Sequence, residues 1–108
     1  MPIAIFDRRD LPAGFATRTR FFKIERRENS VELIDMTCAH RGGPLTHGTC
    51  DADRIVCPWH HGRISRRKLE QRTQPTIITT DRIMFVVNSA VARVFRSIPV
   101  DSHWSPTE

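Results

Sequence analysis

The chain has 108 residues, 39% hydrophobic and 27% charged, with a formal net charge of +5. That is one domain's length with a globular balance, and it is too short for two ordinary domains. No apolar run approaches the roughly 18 residues that span a bilayer, and three cysteines are too few, and oddly numbered, for a disulfide framework.

Residues 1–7 lack a basic region followed by a long apolar stretch, so no secretory leader is expected and the expected location is cytoplasmic. Residues 10–14 carry turn chemistry and read as a loop. Residues 15–24, rich in aromatic and β-branched side chains, predict one strand. A polar turn over 25–30 leads to a return strand over 31–36. Residues 38–62 are dense in Cys, His, Gly and Pro. They show no helical period and little strand character beyond 54–57, so they read as loops held by something other than a ladder. The short apolar runs at 77–79, 83–87 and 90–95 predict strands, the last two paired as a hairpin across Asn88 and Ser89. The end, 100–108, is polar and expected to be loosely held. No segment sustains a 3.6-residue apolar period, so the fold class is all-β.

Two short motifs carry the chemistry. The first is Cys38-Ala39-His40 and the second is Cys57-Pro58-Trp59-His60, with residues 41–56 between them. Each supplies one thiolate and one imidazole. Such a set suits either tetrahedral zinc or a cluster in which two cysteines hold one iron and two histidines the other.

The flanking residues favour the second. Arg41, Gly42, Leu45 and Gly48 follow the first motif, and Pro58 sits inside the second. In this the sequence resembles the Rieske [2Fe–2S] family over about residues 10–65. The resemblance implies an antiparallel β-sandwich in a single domain, 1–108. It also implies a small cluster-binding subdomain of two ligand loops, about 37–65. Its ligands would be Cys38, His40, Cys57 and His60, around one [2Fe–2S] cluster per chain.

High-potential members of that family carry a further cysteine in each loop, joined as a disulfide. Here Gly43 and Trp59 stand at those positions. Such members also place a serine and a tyrosine where this chain has Gly62 and Ile64. Hydrogen bonds to sulfur stabilise the reduced cluster, so their absence predicts a low-potential centre, toward the bottom of the roughly −150 to +300 mV Rieske range. That type resembles ferredoxins and the N-terminal domains of ring-hydroxylating oxygenases. After His61 the one remaining histidine is His103, so the mononuclear iron site of such oxygenases is not expected. The resemblance then implies a small soluble electron carrier, not itself an enzyme, passing one electron from a reductase to an oxygenase-like acceptor. The alternative is a zinc-stabilised or accessory binding module using the same four ligands and a basic surface.

Several residues stand outside that scheme. Cys50 reads as a small buried hydrophobe. His47 and His61 read either as exposed loop histidines or as groups that tune the cluster or receive a partner, and Trp59 as a shield for the cluster, a docking surface or a packed side chain. The basic stretch 63–72 is either a docking surface for an acidic redox partner or a solvated hairpin. No nucleic-acid motif accompanies it, and neither nucleic acid nor membrane is an expected partner.

Overall fold

The computed structural model describes residues 2–28, 30–39 and 42–102. Its strands are β1 (Ile3–Asp7), β2 (Gly14–Ala16), β3 (Phe21–Arg26), β4 (Val31–Asp35), β5 (Thr49–Asp51), β6 (Arg54–Val56), β7 (Arg63–Ser65), β8 (Thr73–Gln74), β9 (Thr76–Ile78), β10 (Arg82–Val86) and β11 (Arg93–Phe95). One short helix, α1 (Arg66–Glu70), follows β7. Among the described residues no helix is long and apolar enough to cross a membrane.

The strands form three antiparallel sheets, in the orders β1-β10-β9, β11-β2-β3-β4-β8 and β5-β6-β7. The five-stranded sheet lies in the middle. Neighbouring residues of a strand point to opposite faces, and here both faces are covered. Leu33 joins Phe15, Phe22, Ile24, Ile83 and Phe85 in a core against the β1-β10-β9 sheet. Phe6, Phe15, Phe22 and Phe85 pack ring against ring in that core. Ile34, the next residue, joins Met36, Cys38, Leu45, Ile55, Cys57 and Leu69 in a second core. Lys23, the cross-strand partner of Ile34, is also buried and pairs with buried Glu25 two residues on. A buried charge needs such a partner.

Several expectations from the sequence need correction. The stretch 15–24 is two strands, because Thr17–Arg20 closes a tight turn. Thr17 N–H donates to Arg20 O at 3.0 Å, and Arg20 N–H donates to Thr17 Oγ1 at 3.1 Å. The 83–87 and 90–95 runs do not form a hairpin. β10 pairs with β1 and β9, whereas β11 crosses to pair with β2. The 63–72 stretch is not a hairpin of its own: β7, which pairs with β6, is followed by α1. Val100 is fully buried, and residues 99–102 form a 3-10 turn; residues 103–108 lie outside the described part.

Candidate metal centre

Both ligand loops grow from strand ends on the second core. Cys38 lies just beyond β4, and Cys57 directly follows β6. The two loops close with the same hydrogen bonds. Cys38 N–H donates to Gly43 O and Gly42 N–H donates to Cys38 O, both at 2.8 Å. Likewise Cys57 N–H donates to Gly62 O at 2.8 Å, and His61 N–H donates to Cys57 O at 2.9 Å. In each loop the fourth residue after the cysteine is left-handed: Gly42 at φ 70° and His61 at φ 60°. Glycine adopts that conformation freely; histidine does so at some cost.

The closure holds each cysteine beneath its loop. Cys38 and Cys57 are 6% and 0% exposed. Their sulfurs and a ring nitrogen of His60 lie within 4.8 Å of one another. His60 Nε2 is 2.8 Å from Cys38 Sγ, while its Nδ1 accepts a hydrogen bond from Gly62 N–H at 3.0 Å.

The structure therefore brings together Cys38, Cys57 and His60 of the four sequence-predicted ligands. His40, with Arg41 beside it, lies outside the described residues. Two buried thiols and an imidazole fit a thiolate- and imidazole-bound iron–sulfur cluster by donor type. Gly43 fits the same centre by its lack of a side chain: a Cβ there would stand 2.6 Å from Cys57 Sγ and 3.4 Å from the Trp59 ring.

The first loop is pinned from below. Thr37 Oγ1 accepts from Phe21 N–H at 2.9 Å, and Thr37 N–H donates to Asp35 Oδ1 at 3.0 Å. Arg72 Nη1 donates to Thr37 O, the carbonyl just before Cys38, at 2.8 Å. The second loop points its Trp59 side chain outward, 60% exposed. A cleft of about 500 Å³ opens beside Cys38 and His60, and Arg54, Arg63, Lys68 and Arg72 line it. Sequence reasoning located the basic stretch but missed Arg54, which the β6–β7 pairing brings to the same cleft. It missed the roles of Arg72 as well; nothing in the local sequence marks a guanidinium that reaches back 35 residues.

The outlying residues fall as follows. Cys50 is half-buried against the second core, and burial pushes its thiol pKa up, partly offset by the Arg66 guanidinium. His47 packs edge-on against Phe95 with ring centroids 5.0 Å apart and hydrogen-bonds Thr46 Oγ1 at 2.8 Å. Burial, and then the nearby Arg93 charge, hold its pKa below the ordinary value.

Residues 2–82 match the Rieske [2Fe–2S] domain family. The chain is also similar to the oxygenase component of 3-ketosteroid-9-alpha-monooxygenase from Rhodococcus rhodochrous, 40% identical over 35 residues. That stretch is 32% of this chain and 9% of the relative, so only a small part of the relative is matched. Domains of the family bind a [2Fe–2S] cluster and transfer electrons with redox partners.

Proposed function

The chain belongs to the Rieske [2Fe–2S] domain family, and from that premise we propose that it is a small electron carrier. It holds one electron at a time on a cluster bound by Cys38, His40, Cys57 and His60. The observation that carries this reading is the meeting of Cys38, Cys57 and His60 beneath two loops of the same closure. The domain is single, 1–108, with the cluster-binding subdomain at about 37–65.

When bound, the cluster supplies one-electron chemistry. The chain's own residues shape where that happens. Cys38 and Cys57 are buried with the second core, which keeps water from the sulfur side. His60 is half-buried at the outer end and gives the electron its route to the surface. Gly43, Trp59, Gly62 and Ile64, which provide neither a disulfide nor hydroxyl donors to sulfur, support a low-potential, ferredoxin-type centre.

The likeness to an oxygenase component supports an oxygenase-like acceptor, with a reductase as donor. The chain is then an electron-transfer component, not the catalyst.

The deciding experiment is EPR of the dithionite-reduced protein beside its iron and acid-labile sulfide content. The expected result is a rhombic signal with low average g and about two irons and two sulfides per chain. An EPR-silent protein with stoichiometric zinc would overturn the reading in favour of a structural metal in the same ligands.

A further inference from the structure

The cleft beside the metal centre is lined by four cations, Arg54, Arg63, Lys68 and Arg72. Its cations come from three directions. Arg54 and Arg63 lie on adjacent strands, β6 and β7. Lys68 stands on α1, which buries Leu69, and is itself exposed. Arg72 follows the helix. Among the described residues no carboxylate lines the cleft. Two of the four cations are already engaged, Arg63 with Asp51 Oδ2 at 3.2 Å and Arg72 with Thr37 O at 2.8 Å. Among the described residues, no side-chain hydrogen bond or ion pair engages Arg54 or Lys68, and both are exposed.

Converging like charges repel unless something anionic joins them. The occupant must suit four cations carried by β6, β7, α1 and the residues after it, along a cleft of about 500 Å³. Arginine is enriched in protein interfaces. A small anion would meet only part of so spread a set, whereas an acidic segment meets it along its length.

We propose that this cleft docks an acidic segment of the protein that donates electrons to the chain, and that docking and reduction oppose one another. The proposal rests on the electron-carrier reading above. In the step itself, one electron leaves the partner's redox centre and reduces one ferric iron of the cluster to ferrous, with no bond made or broken. That electron adds one negative charge at the end of the cleft lined by Cys38 and His60. A carboxylate in the cleft disfavours the added charge, so the docked segment lowers the midpoint potential. By linkage, reduction weakens the hold on the segment by the same factor. The oxidised carrier grips its donor, and the reduced carrier lets go.

The test uses fluorescein-labelled hexaglutamate as the probe and the cluster-loaded full chain. Affinity is read by anisotropy at low ionic strength, for wild type, for Arg54→Glu/Lys68→Glu, and for Arg8→Glu/Arg9→Glu. The last pair lines a separate concavity and changes net charge equally. The expected result is at least tenfold weaker binding for the 54/68 variant, and near wild-type binding for the 8/9 variant. Equal loss in both variants, or loss only in the 8/9 variant, overturns the cleft assignment.

Potentiometric titrations of the same samples read the coupling. Saturating peptide should lower the wild-type midpoint potential, and the shift should vanish in the 54/68 variant. An unchanged potential with peptide bound overturns the coupling. Iron and sulfide contents are measured separately. Peptide binding to a protein that takes up no cluster would overturn the carrier reading, and the redox coupling with it, while the binding data still judge the cleft.

Discussion

The two ligand loops, 38–43 and 57–62, are built to one backbone plan from unlike sequences. Each cysteine donates to the carbonyl five residues on and accepts from the N–H four residues on. The histidine sits at the second position in one loop and the third in the other. Loop closure, not motif spacing, thus sets where the thiols lie. The loops differ in what surrounds that closure. The first is pinned by Thr37 and Arg72 and has a glycine, Gly42, at its left-handed position. The second has His61 there and exposes Trp59. One loop is pinned from below, whereas the other accepts backbone strain beside an exposed tryptophan.

The largest test of this comparison is Gly43→Val, because position 43 is where the two loops touch. Its side chain would collide with Cys57 Sγ and the Trp59 ring. The expected outcome is loss of the visible cluster absorbance and a destabilisation of about 3 kcal/mol, measured by denaturant unfolding. A loaded, stable Gly43→Val protein would mean that the loops do not meet as described.

A smaller effect separates the loops themselves. A Cβ at position 42 meets nothing within 4 Å, so Gly42→Ala isolates the conformational cost of a left-handed alanine, about 1 kcal/mol. His61→Gly removes the matching strain and should stabilise the protein by up to about 1 kcal/mol, offset by the freer unfolded chain. Opposite signs in the two loops would sharpen the comparison; the same sign would break it.

The smallest effect concerns His47, outside both loops. Its folded pKa lies below the ordinary 6.5 because of burial and then Arg93. The unfolded chain therefore takes up the proton first as pH falls. His47's contribution is fully present above about 6.5 and declines as pH drops toward the lower folded value. Comparing wild type with His47→Gln by thermal melts from pH 7.5 to 5 should show the shallower slope in the variant. The difference should be small, since the ring is largely exposed.

Much of this was legible in the sequence, and the failures have several causes. The strand predicted over 31–36 is β4, Val31–Asp35, and those predicted near 77 and 83 are β9 and β10. Both ligand motifs were visible because their spacing is local. The strand pairing that failed depends on a distant partner. Nothing in residues 90–95 says that they pair with β2, some 78 residues earlier, instead of the adjacent run. β1 went unread because its outward residues, Ile3 and Ile5, are apolar and exposed, which hides the alternation. The helix α1 is five residues long, too short for a period to show, and only Leu69 is buried. The equivalence of the two loops was invisible for a different reason: it lies in main-chain hydrogen bonds, which side-chain patterns do not encode.

The middle sheet is a party wall. Leu33 and Ile34 are neighbours in the chain, yet one is furniture of the aromatic room and the other of the room that holds the cysteines. A wall shared by two rooms cannot be moved on one side alone. A cluster held at one end would therefore stiffen strands whose far faces pack against Phe15, Phe22, Phe85, Ile24 and Ile83, and losing it would loosen both rooms together.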